Sequence, residues 1–170
     1  MVYFGNDRDS GDYLHAFDAQ TGEEKWVYET TGDIRWSSPA VSGGVVYLLY
    51  ETYDSIYRTY DWLTGANKAN ALLVALDATS GRELWQFGVA NAVCCIEPWS
   101  SPSISGNVVY LHTCQLEGDR LHALDASTGE ELWTWLTSLA PFRHVASSSP
   151  AISDGVVYFS GTDGYVYALK

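Results

Sequence analysis

Chemistry in this sequence would have to come from a few residues outside its regular pattern: the adjacent pair Cys94-Cys95, Cys114, the arginines Arg35 and Arg143, and His144. Cys94 and Cys95 run into Ile96-Glu97-Pro98-Trp99. As small apolar residues they suit packing under Trp99; alternatively one of them bridges to Cys114. Three cysteines are too few for a disulfide scaffold. Arg35 and Arg143 each lie shortly before a Ser-Ser-Pro triplet, where a guanidinium can bind an anion near a central channel. With 21 acidic residues in the chain, a surface salt bridge is the competing reading. His144 alone makes no zinc or iron site, which needs further ligands. Asn6-Asp7-Arg8-Asp9-Ser10-Gly11-Asp12 has the flavour of a calcium loop, but Gly11 fills the fifth place, where Asp or Asn belongs. A hairpin loop accounts for it better. No nucleophile elbow, P-loop or dinucleotide fingerprint occurs.

The elements that must position these residues are set by a phrase that returns four times. Tyr13-Leu14-His15-Ala16-Phe17-Asp18, Leu72-Leu73-Val74-Ala75-Leu76-Asp77, Arg120-Leu121-His122-Ala123-Leu124-Asp125 and Tyr165-Val166-Tyr167-Ala168-Leu169-Lys170 align without gaps. A Val-Tyr pair precedes each, at Val2-Tyr3, Val46-Tyr47, Val109-Tyr110 and Val157-Tyr158, and Ser-Ser-Pro ends at Pro39, Pro102 and Pro150. The segments are short, β-branched or aromatic, and bounded by Gly, Asp, Asn or Ser, which marks strands in hairpins. No window keeps a helical apolar period. Four antiparallel strands per unit of roughly 45 residues predict an all-β fold of β-propeller blades. The units are expected at about 1–36, 37–99, 100–147 and 148–170, forming one domain. His15 and His122 occupy the position held by Val74 and Tyr167, so packing explains them better than catalysis.

The third and fourth strands are joined by Ala16-Phe17-Asp18-Ala19-Gln20-Thr21-Gly22-Glu23-Glu24-Lys25-Trp26, and the pattern recurs at 75–85 and 123–133. This A-x-D-x-x-[TS]-G-x-x-x-W phrase resembles the tryptophan-docking motif of the pyrroloquinoline quinone (PQQ)-like β-propeller repeat family, over nearly the whole chain. Asp18, Asp77 and Asp125 read as acceptors for the backbone of their own turn. Gly22, Gly81 and Gly129 supply positive φ, and Trp26, Trp85 and Trp133 pack on a neighbouring blade. The resemblance implies either of two functions, since the family includes eight-bladed quinoprotein alcohol dehydrogenases and cofactor-free propellers. In the dehydrogenases an adjacent cysteine pair forms a ring above the quinone, and Cys94-Cys95 also stands in a loop before a first strand. The resemblance thus makes Cys94, Cys95, Arg35 and Arg143 candidate cofactor contacts, with PQQ and calcium as the cofactors of that alternative. The calcium ligands and the catalytic Asp of those enzymes are not assignable here. The leading expectation is a non-catalytic binding or scaffold module without a cofactor, periplasmic or extracellular by the same resemblance.

The balance of charge, -12 from 9 Lys and Arg against 21 Asp and Glu, argues against nucleic acid as a partner. No stretch is long and apolar enough for a membrane span, and the start has no basic n-region or cleavage site. Counted in strands, the sequence is expected to give 3, 4, 4 and 3 per unit. Open edges on both end units predict a partner: further blades of a larger propeller, or a second copy making eight units. The irregular segments, including the insertion 51–70 with Tyr53, Tyr57, Tyr60 and Trp62, are expected on one face, where a protein or ligand would bind.

Overall fold

The protein is described by a computed structural model that covers residues 1–6, 12–34, 37–53, 69–89, 100–115, 118–137, 148–161 and 163–170. Among these residues there are strands and no helices. The first sheet holds β1 (Val2–Asn6), β2 (Tyr13–Phe17) and β3 (Glu24–Glu29). The second holds β4 (Gly32–Asp33), β5 (Ala40–Ser42), β6 (Val45–Tyr53), β7 (Ala69–Asp77) and β8 (Glu83–Val89). The third is a meander of β9 (Ser103–Ser105), β10 (Val108–Gln115), β11 (Gly118–Asp125) and β12 (Glu131–Leu136). The fourth holds β13 (Ala151–Ser153), β14 (Val156–Ser160) and β15 (Val166–Leu169). All pairings are antiparallel between neighbours, the blades of a β-propeller.

Sheet two departs from the expected four strands. Gly32 and Asp33 pair with Thr52 and Glu51, on the same edge of β6 that Ala40–Ser42 occupies further along. β6, at nine residues, is long enough to seat both short strands. Only glycine permits this approach, because a Cβ at Gly32 would lie inside the Glu51 carbonyl.

The units are pinned at two places, a bulge in strand three of the first three and serine links between the first strands of the last three. Strand three shifts register after its alanine, between Ala16 and Phe17, Ala75 and Leu76, and Ala123 and Leu124. This bulge swings the following Asp into the turn. At the inner edge, β5 and β13 both lie against β9. There the Ser-Ser-Pro serines link unit to unit: the Ser38 N–H donates to Ser101 Oγ and the Ser101 N–H to Ser149 Oγ, both at 2.9 Å. The recurring serines thus stitch first strands together.

Side chains alternate across each strand, so every blade presents one apolar face forward to the next blade and one backward to the previous one. Three cores result. Leu14, Tyr3 and Trp26 meet Val46, Leu48 and Leu76; Leu49, Leu73 and Trp85 meet Val109, Leu111 and Leu124; Tyr110, Leu121 and Trp135 meet Val157 and Phe159.

One polar pair varies between units. Thr30 donates its N–H and hydroxyl to the Asp12 carbonyl at 3.0 Å each, and Thr137 does the same to Asp119 at 2.9 and 3.2 Å. The buried Asp12 carboxylate in turn accepts the Ile34 N–H at 2.7 Å. In the second unit the corresponding partners are Ala71 and Val89, both buried in the apolar core.

Candidate functional site

The motif aspartates are spent on their own turns. Asp18 Oδ1 accepts the N–H groups of Gln20 and Thr21 at 2.8 and 2.9 Å, Asp77 Oδ1 those of Thr79 and Ser80, and Asp125 Oδ1 those of Ser127 and Thr128. Bonds from the Thr21 and Gln20 N–H groups hold the Asp18 carboxyl below its ordinary value, and the Ser80 hydroxyl and N–H do so for Asp77. Glycines 22, 81 and 129 close these turns at φ of 71°, 71° and 75°.

The turn of one blade is the socket for the indole of the blade before it. Trp26 donates its indole N–H to the Ala78 carbonyl at 3.1 Å, and its ring lies over Gly81. Trp85 repeats this on the Ala126 carbonyl at 3.1 Å, over Gly129. A second donor, not evident from the motif, shares each carbonyl: Tyr3 Oη reaches Ala78 at 3.0 Å and Tyr47 Oη reaches Ala126 at 3.2 Å. The recurring Val-Tyr pair was its signal. Trp133 stands apart at 40% exposure, its ring against Tyr110 of its own blade.

The seam between the second and third blades opens into a cleft of about 240 Å³ lined by Phe87, Arg120, His122, Glu131 and Thr134. His122 is buried, with Nδ1 2.7 Å from Glu131 Oε1 and Nε2 2.9 Å from Thr113 Oγ1. A carboxylate only accepts, so the neutral ring carries its proton on Nδ1 and takes the Thr113 hydroxyl at Nε2. The first unit repeats the pair in more open form, with His15 Nδ1 2.9 Å from Glu24 Oε2. This recurrence marks the pair as a cross-strand brace of the blade. His112 is also buried, its ring tilted at 57° to Phe159, with Nδ1 3.3 Å from the Ser148 carbonyl.

Burial lowers the pKa of both His112 and His122 from the ordinary 6.5, against the opposing pull of Asp119 and Glu131. A histidine that resists protonation only when folded contributes fully above 6.5, and loses that contribution as pH falls through its folded pKa. Melting temperature is therefore expected to drop between pH 7.5 and 5.5, and His122→Gln to flatten that slope. An equal slope in the variant would show that His122 does not contribute to the drop.

Cys94, Cys95, Arg35 and Arg143 lie outside the described residues, as do His144 and most of the 51–70 insertion. Strand alternation puts the flanking strand ends of all these segments on one face, the side of connections two-to-three and four-to-next-one. Among the described residues no group of three or more His, Cys, Asp or Glu could hold a metal ion. No described helix is long and apolar enough to cross a membrane.

A family model described as outer membrane protein assembly factor BamB matches residues 67–170, more than half of the chain. No curated protein sequence matches. Among solved structures, BamB from Moraxella catarrhalis superposes with a TM-score of 0.70 at 22% identity, covering 98% of this chain and 45% of that one. Quinohemoprotein alcohol dehydrogenase ADHIIG from Pseudomonas putida HK5 gives 0.61 at 18%, covering 92% and 30%. The computationally designed Ika4 protein gives 0.60 at 14%, covering 98% and 84%. The chain thus spans less than half the length of the two natural proteins.

Proposed function

The chain belongs to the PQQ-like repeat family of the outer membrane protein assembly factor BamB, and from that premise we propose that it is a non-catalytic binding and scaffold module. In this reading a protein or small ligand meets the loop-rich face, and further blades or a second copy cover the end faces. The supporting observation is how the repeat residues are used. The Asp carboxylates serve their own turns, and Trp26, Trp85, Tyr3 and Tyr47 are committed to the next blade. The motif is thereby consumed by the scaffold, and distinctive chemistry is left to the irregular connections of one face. An extracytoplasmic location belongs to the same proposal, by resemblance to the family.

The second reading is a fragment of a PQQ- and calcium-dependent alcohol or sugar dehydrogenase. The likeness to the Pseudomonas enzyme and the adjacent Cys94-Cys95 favour it. Among the described residues no group of three or more His, Cys, Asp or Glu is placed to hold calcium. Titrating the chain with PQQ and calcium, while following quinone absorbance and dye-linked ethanol oxidation, separates the two readings. A flat titration is expected; saturable uptake with dye reduction would replace the scaffold reading with the enzymatic one.

A further inference from the structure

We propose that the cleft between the second and third blades is a ligand site of its own, which takes one ring of a neutral sugar. It opens between the outer strands β8 and β12, at the edge of each sheet opposite the linked first strands. The inference goes beyond the reading above, which concerns the loop-rich face.

The cleft arises because this seam departs from its neighbours at matching repeat positions. In the first seam Tyr28 donates its hydroxyl to Glu83 Oε2 at 2.9 Å, and Tyr28 packs with Tyr50, Leu72 and Val74 in one cluster. In the third, Trp135 meets Tyr167 edge to face at a centroid distance of 4.7 Å. Rings bridge the gap in both. The second seam keeps the glutamate as Glu131, but Phe87 stands for Tyr28, Thr113 for Tyr50, His122 for Val74 and Arg120 for Leu72. One phenol ring and one hydroxyl fewer leave about 240 Å³. Polar side chains also enter where the first seam is apolar, at a cost to the scaffold, since Leu and Val pack there with no hydrogen bonds to satisfy.

Size and chemistry narrow the occupant. The volume lies below the roughly 300–1,000 Å³ of drug-sized sites, so one small ring fits. Arg120 and Glu131 line the cleft together, so any ion would meet a like charge there as well as an opposite one. A wholly apolar ligand would strip water from both charges. Arg120 has five N–H groups to donate, and Glu131 has Oε2 as an acceptor beyond the Oε1 that His122 engages. The Thr134 hydroxyl does either. Adjacent hydroxyls of a sugar, each donor and acceptor at once, answer that mixture, and the C–H face of its ring covers the flat wall of Phe87. His122, the other ring at the site, stands at 63° to Phe87, so the two are not parallel plates for a flat aromatic ligand.

Saturation-transfer NMR and calorimetry on the 170-residue chain test this with methyl glucoside, methyl galactoside, methyl mannoside and N-acetylglucosamine. At least one is expected to bind with a dissociation constant on the order of 1 mM, as suits a small ligand held by few contacts. Phe87→Tyr adds the hydroxyl that bridges the first seam, and Arg120→Leu introduces the leucine found there. Each is expected to weaken binding about tenfold or more. Near-UV circular dichroism reports whether each variant is folded, and Thr134→Gln, which carries the second blade's Gln86 to the third, replaces any that is not. Binding of none of the four sugars, binding that the folded variants leave unchanged, or tighter binding of benzoate or benzyl alcohol than of any sugar would each overturn the proposal. The quinone titration follows a different ligand, so failure here is separable from failure of the binding-module reading.

Discussion

Trp85→Ala is expected to destabilise the protein by about 3–5 kcal/mol, in the range of large-to-small changes at aromatic core positions. The substitution removes the indole that sits over Gly129 and the N–H that donates to the Ala126 carbonyl. It also unpacks a core in which Leu49, Leu73, Val109 and Leu111 meet across two blades. For a chain of this length such a loss lowers the melting temperature on the order of 10 °C. Trp133→Ala is the matched comparison. Its ring touches Tyr110 at a centroid distance of 6.0 Å but is 40% exposed, and among the described residues it seats in no glycine turn. Its cost should be well under half that of Trp85→Ala, read by urea denaturation of both. Equal costs would show that docking on the glycine turn contributes nothing beyond ordinary burial.

The second large effect falls on the socket itself. Gly129→Ala meets two penalties that can be measured separately. A non-glycine residue at φ of 75° costs about 1–2 kcal/mol for the left-handed backbone alone. Its Cβ would also lie 2.6 Å from the Trp85 ring, which must shift and give up its bond to Ala126, for about 1–3 kcal/mol more. Gly22→Ala isolates the first term, since Gly22 has the same motif position and a φ of 71°, with nothing within 4 Å of its Cβ. Denaturation of the two variants should therefore differ by the packing term. A gap near zero would mean that the indole yields to a methyl group without loss.

Much of the scaffold was legible because repetition turns weak local signals into strong ones. A single Ala-x-Asp-x-x-Thr-Gly says little, but three in step, each followed by Trp, fix strand, turn and neighbour together. What escaped was whatever depends on one unit alone. β4 was missed because Gly32-Asp33 has no strand propensity and pairs only because β6 runs on to Thr52. The exposure of Trp133 is likewise a matter of what lies next to it, which its own motif does not encode. Tyr3 and Tyr47 read as strand aromatics, and their hydroxyl bonds to the next blade required the packing angle between sheets. The candidate site was legible only as a location. Cys94, Cys95, Arg35 and Arg143 sit in connections where no repeat supplies a second copy to compare, so residue type alone could not choose between packing, pairing and ligand contact.

The alternation of Asp12 with Thr30, Ala71 with Val89 and Asp119 with Thr137 has a bearing on how such chains can be recombined. Strands three and four of a unit travel as a matched couple: a crossover between them that joined Asp119 to Val89 would keep the backbone N–H but replace the threonine hydroxyl beside a buried aspartate with a methyl group. Cuts placed in the connection after strand four keep each couple whole. Chimeras spliced there should fold, while those that join the second unit to the first or third within the glycine turn should be destabilised, so the natural joint for shuffling these units lies outside the motif that defines them.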